Sequence, residues 1–182
     1  MIGKIGEGLT ETFAEVDTWF DRDKALRTYR PAHGGWTVNQ ILEHIALTNH
    51  FLLILIDKGA KKALKNKDNS DLQMALANYS FDLEGFEAVG ITKSFDWPRP
   101  EHMEPTGRKP LAAVRVELAE QVQRCQNHLT HMPNGEGVLY RTTMTVNNLG
   151  KIDVYQYIWF LVLHARRHLQ QLNNNQAAYH NQ

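Results

Sequence analysis

Apolar side chains recur three and four residues apart in four stretches of the chain, the interval that gathers them on one face of an α-helix. Leu9, Phe13, Val16 and Phe20 predict a first helix over 8–27. Val38, Ile41, Leu42, Ile45, Leu52, Leu55 and Ile56 predict a second over 37–58. Leu111, Val114, Leu118, Val122, Cys125, Leu129 and Met132 hold the interval for three heptads and predict a third helix beginning near Pro110. A fourth is predicted over 153–173, with Tyr157, Leu161, Ala165 and Leu172 on its inward face.

The start signals agree with the periodicity. Thr37 and Gln40 stand at capping-box spacing, and Trp36 is placed to staple against Ile41. Asp153 and Gln156, flanked by Ile152 and Tyr157, repeat the arrangement. Pro110 suits a first turn, where its missing N–H costs nothing. Gly34 and Gly35 supply a sharp turn before the second helix.

From 61 to 109 the pattern breaks. Residues 61–70 are polar, and Pro98, Pro100, Pro105, Gly107 and Pro110 mark an irregular crossover with room for a short helix at about 71–78. The β-branched stretch 138–146 reads as extended, a short hairpin or a strap on the bundle. The end from Gln170 is rich in Asn and Gln. Four long helices with a long crossover predict an all-α four-helix bundle forming one domain over 1–182.

Composition narrows the function. Lys plus Arg and Asp plus Glu are 20 each, so the formal net charge is zero, which argues against a nucleic-acid partner. No basic segment followed by a long apolar stretch opens the chain, and the longest strongly apolar run, 51–56, is far short of the roughly 20 residues that span a bilayer. These features predict a cytoplasmic protein with no membrane partner. A single Cys excludes an intrachain disulfide and a thiolate-only metal site.

The chain has nine His. His164 and His168 lie one turn apart on the inward face of the fourth helix, where two imidazoles need partners and a shared metal ion is one solution. Hydrogen-bonded or surface histidines are the other. His44, seven residues after Thr37 and among Ile41 and Ile45, is the candidate third ligand. Three imidazoles with an open position make a catalytic-type site for zinc, with nickel or iron(II) as alternatives. His50 falls on another face of its helix, and His33, His102, His128, His131 and His180 read as solvated or locally bonded.

Other groups carry two readings each. Glu43 and Gln40 are candidate supports of His44 or, for Glu43, a general base; the competing reading is a surface charge and a capping residue. Arg167 is placed to orient an anionic substrate or to form an interhelical ion pair. Cys125 reads as a small core hydrophobe. Trp36, Trp97, Tyr157 and Trp159 read as core aromatics, one or two of them able to line the mouth of a metal pocket.

The run Gly34-Gly35-Trp36-Thr37-Val38-Asn39-Gln40-Ile41-Leu42-Glu43-His44-Ile45, followed by His164, Arg167, His168 and Gln171, resembles the DinB-like superfamily. That family includes thiol-dependent S-transferases of the bacillithiol and mycothiol type. The resemblance implies a four-helix bundle holding one divalent ion with His44, His164 and His168, and members that form homodimers. Transferase members carry a further His directly after the last ligand, where this chain has Leu169. The expected function is a metal-dependent enzyme that activates a low-molecular-weight thiol or water against a small-molecule substrate, as an S-transferase or hydrolase. Glu43 and Arg167 are its candidate catalytic residues. The alternatives are a non-catalytic, metal-binding stress-response homodimer and a protein whose three His are buried and metal-free.

Overall fold

A computed structural model describes residues 1–32, 34–69, 71–81, 86–92 and 101–181. His33, Trp97, Pro98 and Pro100 lie outside the described residues. The first helix, α1 (Ile2–Thr18), begins earlier than the periodicity predicts, because Ile2 and Ile5 extend the apolar stripe past three glycines. One of these, Gly8, is where α1 passes Trp159; a Cβ there would stand 2.7 Å from the indole. The helix also ends earlier. A 3-10 turn, Trp19–Asp21, buries Trp19 and Phe20, Arg22 is extended, and a separate short helix α2 (Lys24–Thr28) follows. The single helix expected over 8–27 is therefore two. Arg115 ties this end by bonding Asp17 at 2.6 Å and Asp21 at 2.8 Å.

The second long helix, α3 (Val38–Asn66), starts with the expected capping box. The Gln40 N–H donates to Thr37 Oγ1 at 3.2 Å, and the Thr37 N–H donates to Gln40 Oε1 at 3.1 Å. It runs beyond the expected end at 58. Its last turns bury Gly59, Ala60 and Ala63, small residues that leave a weak hydrophobic signature. A Cβ on Gly59 would come within 3.1 Å of Val154, so a small residue is what lets the chains pass closely there. Asp71 caps the short helix α4 (Leu72–Ala77), its Oδ1 accepting from the Met74 N–H at 2.9 Å.

The helix α5 (Leu111–His131) follows Pro110 directly, with Val114, Leu118, Cys125 and Leu129 buried. The last helix, α6 (Val154–His180), has the second capping box, between Asp153 and Gln156. It continues through the Asn- and Gln-rich end, where Leu172 and Asn175 are buried and Tyr179 packs edge-on against Tyr29. Within 138–146 only β1 (Arg141–Met144) is a strand; Glu136–Leu139 is a 3-10 turn. Its antiparallel partner β2 (Gly150–Asp153) pairs Arg141 with Asp153 and Met144 with Gly150. Asn147 and Asn148 turn the hairpin at φ 48° and 52°, a left-handed region that Asn tolerates better than most residues.

The four long helices pack as a bundle, α1 against α5 and α6, and α3 against α5 and α6. Every residue from 152 to 165 is buried, because β2, the 3-10 turns Ala88–Gly90 and Glu136–Leu139, and the neighbouring helices cover α6 on all sides. From Arg166 onward the helix is amphipathic. No described helix is long and apolar enough to cross a membrane.

Candidate metal centre

The two capping boxes fix where α3 and α6 begin, and so which residues face each other in the bundle. His44 stands two turns into α3; His164 and His168 stand in the middle of α6. The three are buried, with exposures of 7%, 2% and 7%. One ring nitrogen from each falls within 4.8 Å of the other two, and among the described residues this is the one group of three or more His, Cys, Asp or Glu placed to share an ion.

The hydrogen bonds fix the state of two rings. His44 Nδ1 lies 2.8 Å from the Met103 carbonyl. A carbonyl only accepts, so Nδ1 carries the proton and Nε2 the lone pair. His168 Nδ1 lies 3.0 Å from Gln171 Oε1, which sets the same tautomer. The third ring, His164, is held far below the ordinary imidazole pKa by burial, and the neighbouring His168, His44 and Arg167 push the same way. It is neutral at physiological pH, the form that coordinates metals.

His164 Nε2 and His168 Nε2 are 3.1 Å apart. Two Zn–N bonds of about 2.0–2.1 Å at a tetrahedral angle place their nitrogens roughly 3.3–3.4 Å apart. The donor set, its tautomers and this spacing fit a divalent ion. Trp36 closes one side, its ring centroid 4.6 Å from that of His44 and 6.4 Å from that of His168. The Trp36 carbonyl accepts from Asn175 Nδ2 at 2.9 Å, which secures this wall to the end of α6.

The remaining candidates fall elsewhere. Glu43 is not the surface charge that its position suggested: it is 4% exposed. Its Oε1 accepts from the Thr106 N–H at 3.1 Å and the Thr106 hydroxyl at 2.9 Å, and its Oε2 from the Gly107 N–H at 2.7 Å. Arg167 faces the 88–92 segment, where it donates to the Ile91 carbonyl. Gln40 keeps its capping role and also accepts from Arg30 Nη2 at 3.3 Å. Cys125 is buried on α5, and burial pushes its thiol up to about 12. Tyr157 and Trp159 are buried in the core.

Among the described residues the other histidines are dispersed. His102 packs on Phe51, His128 lies 2.6 Å from Asp57, and His131 bonds the Asn127 carbonyl at 2.6 Å. Two supports of the cluster have no role assigned from the sequence: Gln171, which stands there only as part of the family motif, and Met103. Gln171 had a legible signal, since it follows His168 by three residues and so shares its helix face. Met103 had none, because its contribution is a backbone carbonyl.

The sequence profile of the DinB superfamily matches residues 9–172. That span contains both capping boxes, the three clustered His and Gln171. No curated protein and no solved structure matches the chain.

Proposed function

Because the chain belongs to the DinB superfamily, we propose that it is a metal-dependent enzyme in which His44, His164 and His168 hold one divalent ion. Zinc is the first candidate, with nickel and iron(II) next. The observation that carries this reading is the meeting of three buried imidazoles, two of them held by Nδ1 hydrogen bonds so that Nε2 keeps its lone pair. Neutral nitrogens aimed at one point repel one another unless a proton or a cation lies between them.

When bound, the ion would supply Lewis acidity that lowers the pKa of a thiol or of water, so that a nucleophile exists near neutral pH. The protein's own part is positional. Trp36 offers an aromatic wall beside His44 and His168 against which the apolar part of a small substrate can lie. Glu43 and Arg167 hold neighbouring chain segments in this reading. Cys125 is too buried and too weakly acidic to act as nucleophile, so a reacting thiol would come from a low-molecular-weight co-substrate.

Elemental analysis of tag-free protein tests the metal half of the proposal. The expected result is about one equivalent of a divalent metal, lost in His44→Ala. Absence of metal from wild-type protein after reconstitution with zinc, nickel and iron(II) would sink it. The enzymatic half is tested by offering metal-loaded protein low-molecular-weight thiols with electrophilic acceptors, and separately esters and amides. Turnover that disappears in His164→Ala supports an enzyme. A fully loaded protein that converts none of them argues for a binding protein.

A further inference from the structure

Two adjacent residues of α3 grip the same piece of the crossover. His44 Nδ1 donates to the Met103 carbonyl at 2.8 Å, and the carboxylate of Glu43 takes three hydrogen bonds from Thr106 and Gly107. Residues 101–107 thus form a strap across the start of α3. We propose that Glu43 is a positioning residue for the metal centre: by latching this strap it holds the Met103 carbonyl that orients His44. The inference rests on the metal reading above.

A carbonyl can orient an imidazole only if the carbonyl is itself held. Met103 ends a single 3-10 turn, Glu101–Met103, and belongs to no long helix and no sheet. The anchor comes three residues later, where Glu43 meets Thr106. The Thr106 hydroxyl also accepts from the Arg108 N–H at 3.1 Å, so the latch includes the strap's exit. Gly107 has φ +69°, and a Cβ there would meet the Gln40 side chain at 3.3 Å, so the strap lies close against the first turn of α3.

Burying a carboxylate is costly unless its oxygens are satisfied, and these hydrogen bonds satisfy both. They reach a segment more than sixty positions away in sequence, so they close a long-range contact beside a ligand. By linkage the effect runs both ways. A strap that fixes His44 favours the ion, and an ion that fixes His44 favours the closed strap by the same factor.

The test compares apo wild type, Glu43→Gln and Thr106→Val, using zinc alone as the probe in competition with a chromophoric chelator. Trypsin cleavage after the exposed Arg108 gives a second readout of the strap. Glu43→Gln keeps the shape but turns an amide N–H₂ toward a backbone N–H. It is expected to bind zinc about ten- to a hundredfold more weakly, as for other groups that orient metal ligands. It is also expected to be cut faster than wild type, while zinc slows cleavage of wild type. Thr106→Val, which loses the hydroxyl that donates to Glu43 and accepts from the Arg108 N–H but keeps both backbone N–H donors to Glu43, should fall between.

A folded Glu43→Gln protein, unchanged in far-UV circular dichroism, with wild-type zinc affinity overturns the positioning role. If Glu43→Gln does not fold, Thr106→Val decides: zinc affinity and cleavage both equal to wild type overturn the latch. If wild type binds no zinc, the metal reading is what fails. The latch then stands or falls on whether Glu43→Gln is cut faster.

Discussion

The Nε2 atoms of His164 and His168 face each other at 3.1 Å across one turn of α6, while the far nitrogen of His168 bonds Gln171. His44 brings a third ring, its centroid 5.3 Å from that of His164 and 4.8 Å from that of His168. This crowding is unfavourable for bare lone pairs and favourable for a shared cation. Zinc should therefore stabilise the fold. At free zinc about a thousandfold above Kd the gain is about 4 kcal/mol, which for a chain of this size raises Tm by roughly 8–16 °C. Thermal scans with and without zinc measure it. His164→Ala should abolish the increment; a zinc-dependent rise that persists in that variant would place the ion elsewhere.

Gln171 holds the His168 ring by accepting from Nδ1 at 3.0 Å. Gln171→Ala leaves all three ligands in place but frees that ring to rotate and to change tautomer. Zinc affinity should fall about ten- to a hundredfold, or about 1.4–2.7 kcal/mol, with little change in apo stability. Chelator competition gives the affinity and a urea titration the stability. Unchanged affinity would mean that packing alone orients His168.

What the sequence disclosed follows the range of each signal. The capping boxes at Thr37 and Asp153 and the stripe from Val114 to Leu129 are local patterns, and they appear in the fold as read. The pairing of His164 with His168 is local too, an interval of one helical turn. The meeting of either with His44 depends on α3 packing against α6, which the bundle pattern and the resemblance suggested and the structure displays. Of the readings open for Glu43, the surface charge is the one that fails, because its partners are backbone N–H groups and a hydroxyl 63 and 64 positions away. The break after Thr18 was hidden because Phe20 and Leu26 continue an apolar stripe across it. The end of α6 was hidden for the opposite reason: Asn175 is buried, and polar composition concealed a helix held by contacts to Trp36 and Tyr29.

Tyr155 gives a test of the packing that supports α6. Its hydroxyl donates to the Met132 carbonyl and accepts from the Gly137 N–H at 3.2 Å, with the side chain fully buried. A Cβ on Gly137 would stand 2.6 Å from the Tyr155 ring. The ring is clamped at its hydroxyl and has nowhere to move, so Gly137→Ala should cost about 1–3 kcal/mol through overpacking. Urea unfolding should show a lower midpoint with an unchanged slope. An unchanged midpoint would show that the 136–139 turn can shift without loss.

Asp153 links the second capping box to pH. It is fully buried, its Oδ1 accepts from the Gln156 N–H at 3.0 Å, and burial raises its carboxyl above the ordinary 3.8 despite the opposing pull of the Gln156 N–H, Tyr79 and Arg141. The folded protein therefore keeps this proton to higher pH than the unfolded chain does. Wherever the native state binds more protons, stability falls as pH rises, so this group's contribution is fully present below the unfolded value and is lost through the raised one. Asp153→Asn keeps an oxygen to cap α6 and removes the titration. The stability of wild type minus that of Asp153→Asn should decline as pH rises above the ordinary carboxyl value of 3.8 and level off once the raised value is passed. Urea unfolding of both proteins across that range measures the difference. A difference that grows with pH would mean that the capping charge, stabilised by the α6 N-terminus and Arg141, outweighs its burial.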